Sequence, residues 1–326
     1  MISAINCHSA IRKLKLSFDR TKLLTSHNNF ALRDFMVRIW DIETWDVIYQ
    51  LAFDEPVRDF SLSPNNAYLA VVTSGDTSGQ SAEISVAHSY NLITNEPLYS
   101  KTIPNCWCVT FMDNQMLVNG RLNQYPNHAQ HHLDFYAWPD LEKVSTIALP
   151  PVELPFELTF LPNHHLLFAL GIGLMVLDPE NKVILQEINC DTVKVDWDIW
   201  ETCSVAVNSN ASLVALGFDR YGTGKRGKRV CVFALPSWKI TGWYIDSMRY
   251  PKHLAISDDG KYLATTLGET DSILVTELGS GIQLVDASVG EVTGLAFLPG
   301  SSRLIVGSKS EQPLIIMDWE SNRTPD

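Results

Sequence analysis

Few of the features that mark exported, membrane-spanning or nucleic-acid-binding proteins occur in this sequence. Its six cysteines, at positions 7, 106, 108, 190, 203 and 231, include no CxxC pair, which argues against a disulfide framework and for buried thiols in a reducing compartment. The opening stretch, MISAINCHSAIRKLKLSF, lacks the run of roughly 7 to 15 apolar residues after a basic region that a signal peptide needs. Long apolar runs are absent as well. The longest, Leu166 to Leu177, holds 12 residues broken by Gly171 and Gly173; it is too short to cross a bilayer and reads as two buried strands joined by a turn. Basic charge is scarce. The 25 Lys and Arg stand against 37 Asp and Glu, and a net charge of -12 repels a phosphate backbone unless the cations gather on one face. No GxSxG elbow, phosphate-binding loop or dinucleotide fingerprint is present. Sequons at Asn210 and Asn322 matter only in a secreted chain, and the expected location is cytoplasmic or nuclear, not secreted.

What the 326 residues do contain is apolar material for a large core, 45% of the chain, arranged in short alternating runs instead of helical stripes. These runs are rich in Val, Ile, Leu and Phe and are separated by Pro, Gly, Asn, Asp and Ser, a strand-and-turn pattern. One such unit, VRDFSLSPNNAYL from Val57, has relatives starting at Ile11, Cys106, Pro155, Thr202, Pro251 and Val292. The sixth positions of the seven copies, Leu16, Leu62, Phe111, Phe160, Val207, Ile256 and Phe297, are all apolar and are spaced by 46, 49, 49, 47, 49 and 41 residues. Fourth positions are equally strict, from Leu14 through Phe60 and Val109 to Leu295, and the fifth position is small in six copies of seven. Each copy is followed by a second landmark, best seen in MVRIWDIETWDVIY, where one strand ends at Trp40-Asp41 and another begins near Val47. Each repeat therefore holds four short strands.

A four-stranded repeat of about 40 to 50 residues with Trp-Asp ending its third strand resembles the WD40-repeat family. Only Trp40-Asp41 keeps the dipeptide intact, and no repeat has the Gly-His that usually precedes the inner strand, so the family's His-Ser/Thr-Trp-Asp network does not carry over. The resemblance implies an all-β fold, a seven-bladed β-propeller of four-stranded antiparallel blades. The seventh repeat lacks a fourth strand of its own, since only seven residues follow Trp319. Ile2 to Cys7 supplies it, closing the propeller with the N-terminal strand in the last blade. The expected organisation is one domain over 1–326, with blades at approximately 11–52, 53–102, 103–149, 150–188, 189–245, 246–286 and 287–319 plus 1–7.

Turns from first to second strand are tight, whereas four second-to-third loops, at roughly 25–36, 73–83, 119–132 and 218–229, are long and project to one side. Recognition on a rigid scaffold usually resides in such loops, so this upper face is the expected binding surface. The second position of each copy, where the chain turns into the inner strand, reads Arg12, Arg58, Trp107, Phe156, Cys203, Lys252 and Thr293 and is expected to ring the upper channel mouth. Three cations and two aromatics there suit a partner with a carboxylate or phosphate and one large side chain. In the longest blade connection, Trp197 and Trp200 beside Asp198 make an anchor for a peptide or pack between blades. Arg226 sits in the glycine-rich basic stretch RYGTGKRGKR, either an electropositive finger or a solvated tip. Cys106 and Cys108, with His131 and His132 in the blade-three loop, lack the spacing of a metal site, and neither metal nor other cofactor is expected.

The expected function is a non-catalytic scaffold or adaptor that binds a peptide or protein partner, or another subunit of an assembly, through that face. Fold alone does not name the partner. A basic tail recruited by the acidic balance is one form of it. The alternative is a propeller enzyme with a metal or small molecule in the channel. The seven mouth residues contain no carboxylate and no histidine, which counts against an enzyme.

Overall fold

The structure is a computed structural model that describes residues 2–5, 9–74, 84–104, 106–123, 130–149, 155–161, 165–170, 173–181, 183–189, 200–220, 227–247, 250–268, 272–310 and 313–320. Its elements are strands, and among the described residues no helix is long and apolar enough to cross a membrane. They form seven four-stranded antiparallel sheets, each with its strands in sequence order except the last. Blade one is β2 (Ile11–Leu16), β3 (Lys22–Asn29), β4 (Asp34–Asp41) and β5 (Val47–Phe53). Blade two is β6 (Val57–Leu62), β7 (Tyr68–Ser74), β8 (Ile84–Asn91) and β9 (Glu96–Pro104). Blade three is β10 (Cys106–Phe111), β11 (Met116–Asn123), β12 (Gln130–Ala137) and β13 (Glu142–Ala148). Blade four is β14 (Pro155–Phe160), β15 (Leu166–Leu170), β16 (Gly173–Asp178) and β17 (Val183–Asn189). Blade five is β18 (Trp200–Val207), β19 (Leu213–Arg220), β20 (Gly227–Ala234) and β21 (Lys239–Ser247). Blade six is β22 (Pro251–Ile256), β23 (Tyr262–Leu267), β24 (Ser272–Glu277) and β25 (Gln283–Ser288). Blade seven is β26 (Val292–Phe297), β27 (Leu304–Ser308) and β28 (Leu314–Met317), completed by β1 (Ile2–Ile5), which pairs Ile2 with Met317 and Ile5 with Leu314.

The chain divides into two compact units, Met1–Leu14 with Asn189–Asp326, and Lys15–Ile188. Within each, the core is a set of layers between neighbouring blades. In the second unit Leu24, Val37 and Ile39 of blade one pack on Val57, Phe60 and Val71 of blade two, while Ala70, Val72 and Ala87 pack on Cys106, Val109 and Phe111 of blade three. In the first unit Ala264 and Ile273 of blade six meet Leu295, Phe297 and Leu304 of blade seven. A middle strand is thus covered on both faces, which is why β4 is buried without alternation. The seven fourth-position residues are buried, from Phe60 at 0% exposure to Leu14 and Leu295 at 8%. By contrast, the apolar starts of the outer strands, Val47, Val144, Val183, Ile240 and Ile282, are exposed, so their β-branched side chains serve strand propensity more than core.

Both sequence landmarks have a hydrogen-bonding cause. After the third strand, Asp41 Oδ1 accepts the N–H groups of Glu43 and Thr44 at 2.9 and 3.1 Å, Asn91 accepts those of Ile93 and Thr94, and Asp178 those of Glu180 and Asn181. The second residue of the dipeptide is therefore a turn cap, and these bonds hold the Asp41 carboxyl below its usual range. After the inner strand, Ser17, Ser63 and Ser257 donate to Asp19, Asn65 and Asp259 at 2.6 to 2.7 Å and accept the N–H that opens the next strand.

Three expectations change. The first blade has no loop over 25–36: β3 and β4 stay paired from Lys22 with Asp41 to Asn29 with Asp34, leaving four connecting residues. Its polar side chains are accommodated because Asn28 exchanges two bonds with the backbone of Val57. His131 and His132 belong to strand β12, paired with Leu122 and Arg121, not to a loop. A short form of the family network also forms: Trp40 Nε1 donates to Thr25 Oγ1 at 2.8 Å, and Thr25 Oγ1 lies 2.9 Å from Nε2 of buried His27. That histidine comes from β3, so the missing Gly-His before the inner strand does not leave the tryptophan unpartnered.

Candidate functional site

An irregularity recurs at the start of the inner strands. Register slips by one residue between Val57 and Asp59, Cys106 and Cys108, Thr202 and Ser204, Pro251 and His253, and Val292 and Gly294, and between Pro155 and Leu158 in blade four. The extra residues are Arg58, Trp107, Cys203, Lys252 and Thr293, and in blade four the slip brackets Phe156. The second template position is thus a β-bulge, a device that re-aims one side chain and tightens the local twist. The third position then turns into the neighbouring blade. Buried Asp59 accepts the Val109 N–H at 2.9 Å and an ion pair from Lys15 at 2.8 Å. Ser204 donates to the Pro251 carbonyl at 2.8 Å. A Cβ on Gly294 would lie 2.7 Å from Leu14 Cγ, so only glycine allows this approach.

The described candidate residues fall into different settings. Arg58 is half-buried; its Nη1 donates to Ser85 Oγ at 3.2 Å and reaches the Cys106 carbonyl at 3.5 Å, and burial pushes its pKa down against the opposing pull of Cys106 and Glu55. It clamps the junction of blades two and three. Arg12 is exposed on β2, and Lys252, half-buried on β22, makes no ion pair within 4.0 Å among the described residues. Trp107 and Phe156 lie in β10 and β14, and Trp200 opens β18, but their side chains, with Trp197, Asp198 and Arg226, lie outside the described residues.

Around Lys252 the first unit gathers charge that the repeat pattern did not signal. The Glu291 carboxyl is lowered chiefly by its bond from Lys309, with Lys252 and Arg12 contributing. His253 is pushed down to about 4 by burial first, then by Lys252 and Lys13, against a bond to the Val292 backbone. Arg12, Lys252 and Lys309 thus act on the Glu291 carboxyl, and Lys13 and Lys252 on His253. Lys13 and His253 were readable as third-position neighbours of Arg12 and Lys252; Lys309, just past β27, had no periodic signal.

Cys106 and Cys108 are buried free thiols. Burial pushes the Cys106 thiol well up, with Cys108 and Asp59 adding to the effect, and its Sγ donates to the Cys108 carbonyl at 3.4 Å. Among the described residues no three His, Cys, Asp or Glu side chains are grouped to hold a metal ion.

Sheet order, strand count and blade-to-blade packing decide the architecture. The chain is a seven-bladed β-propeller. The β-propeller domain of Cps50 (Swd1) from Myceliophteria thermophila shares this fold with a TM-score of 0.73 at 14% identity, covering 97% of this chain and 99% of that one. A chain of hydrazine synthase from Kuenenia stuttgartiensis matches with a TM-score of 0.71 at 11% identity, covering 97% of each. No protein-family model matches the chain, and no curated protein does. At these identities the likeness is one of fold, and the propeller agrees with the WD40 resemblance of the repeats.

Proposed function

We propose that this propeller is a non-catalytic interaction platform that docks a protein or peptide partner through the bulged ends of its inner strands. The observation that carries the reading is where chemical variety is allowed. Fourth and sixth positions are uniformly apolar, while the bulge position runs through Arg58, Trp107, Phe156, Cys203, Lys252 and Thr293. A core position would not vary in this way, and a re-aimed one is free to. The cationic neighbourhood of Arg12 and Lys252 favours a partner that brings a carboxylate or phosphate to that part of the surface. Trp197, Asp198, Trp200 and Arg226 join the platform as the sequence expectation has them.

The propeller enzyme is the second reading, and the hydrazine synthase likeness keeps it in view. The interaction reading is preferred because buried polar residues at the inner strands, such as Asp59 and Ser204, are engaged in blade-to-blade bonds. The test is affinity capture from native extract at physiological salt with wild type and with Arg12→Glu/Lys252→Glu. Both residues are off the apolar layers, so the variant should keep its melting temperature and lose the captured partner. Equal capture by both proteins would remove the bulge surface from the interaction.

A further inference from the structure

A second recognition feature lies in the other unit, at the connection from blade one to blade two. A cavity of about 370 Å³ opens there, lined by Ala52, Phe53, Asp54, Glu55, Thr73, Val86, His88 and Tyr90. Its volume is at the low end of small-molecule sites, which span roughly 300 to 1,000 Å³, and matches a single side chain or small cation better than a dinucleotide. Three of the lining residues are aromatic rings. The Phe53 ring lies 5.3 Å from that of His88 and 6.0 Å from that of Tyr90, inclined at 56° and 87°. Rings at these angles do not stack on one another, so faces as well as edges border the space.

No Lys or Arg is among the residues lining the cavity, and of its two carboxylates Glu55 interacts with Arg58 of β6. Asp54 is exposed and has no hydrogen bond or ion pair among the described residues, and Glu55 stands beside it. His88 adds no positive charge near neutral pH: burial lowers its pKa, Asp54 opposes that shift, and its ring nitrogens lie 3.2 Å from Thr73 Oγ1 and 2.9 Å from Ser100 Oγ. Burial raises the Tyr90 pKa, so its phenol stays neutral. Negative π faces and a carboxylate rim with no cation among the lining residues are the requirements for holding an alkylammonium group.

We propose that this cavity binds the ammonium end of a lysine-type side chain presented by a partner protein. A long apolar stem suits the walls of Phe53, Val86 and Tyr90, and the charged tip suits Asp54. The net charge of -12 favours approach of a basic segment. The proposal deepens the platform reading by naming the partner's chemistry at one place, but uses none of the bulge residues.

The test is titration of the whole chain, followed by two-dimensional amide NMR, with four probes: Nα-acetyl-lysine methylamide, its Nε-trimethyl form, choline, and the neutral choline isostere 3,3-dimethylbutanol. The lysine probes should shift the amides of residues 52–55 and 86–90 saturably. Asp54→Asn and Tyr90→Leu should each weaken binding about three- to tenfold. Asp54 is exposed, so its variant keeps the fold intact even if Tyr90→Leu does not. Equal binding of the neutral isostere, an unaffected Asp54→Asn, or no saturable shift would overturn the proposal; choline binding more tightly than both lysine probes would overturn the protein source. In native capture, a partner lost with Asp54→Asn but kept with Arg12→Glu/Lys252→Glu supports this site and sinks the bulge surface, and the converse does the reverse.

Discussion

At the scale of single residues, polar groups that look out of place in apolar strands join one blade to the next. Asp59 is fully buried, yet it holds the Lys15 ammonium and the Val109 N–H, which belong to the blades on either side of its own. Removing one partner of such a pair leaves a buried charge uncompensated. Lys15→Met should therefore lower unfolding free energy by about 3 kcal/mol, the low end because Lys15 is partly solvated; urea denaturation showing a loss below about 1 kcal/mol would make the pair incidental. His253 gives a pH signature. Its folded pKa of about 4 lies below the ordinary 6.5, so the unfolded chain binds the extra proton between these values. Stability is fully present above pH 6.5 and falls as pH drops toward 4, by up to about 3 kcal/mol. The slope between pH 6.5 and 5 should flatten in His253→Gln, and an identical slope in both proteins would assign it to other groups.

At the scale of elements, the bulge and the added strand matter most. Five inner strands, those of blades two, three, five, six and seven, carry a two-for-one slip at their start, so the residue there leaves the ladder. The seventh sheet depends on β1. Its neighbour β28 is wholly buried, Leu314 to Met317, and without β1 would present an unpaired apolar edge. Deleting residues 1–10 should lower the melting temperature by more than about 5 °C and promote self-association. Thermal unfolding together with light scattering reads both effects, and an unchanged melting temperature would mean that β1 adds no stability to its sheet.

At the scale of the whole molecule, the formal charge of -12 acts beyond individual contacts. A field of that sign speeds encounter with basic partners and is screened over a Debye length of about 8 Å at physiological salt. Association rates with a basic partner segment should fall steeply between about 0.02 and 0.5 M salt, while dissociation changes little. Stopped-flow measurement decides it; a salt-independent association rate would confine recognition to short-range contacts.

Repeat number, strand count and the identity of the closing strand were legible in the residues, because apolar alternation and turn caps are local and each copy restates them. Asp41, Ser63 and the fourth-position column carry that information within a dozen residues. The bulge was legible only as a column of mixed chemistry, since a slip in register is a property of two strands. The pairing of Thr25 with Trp40 and His27, the approach of Lys309 to Glu291, and the convergence of Phe53, His88 and Tyr90 had no sequence signal. Their partners stand on different strands or blades, and only tertiary packing brings such groups within reach of a hydrogen bond, a charge or a ring face.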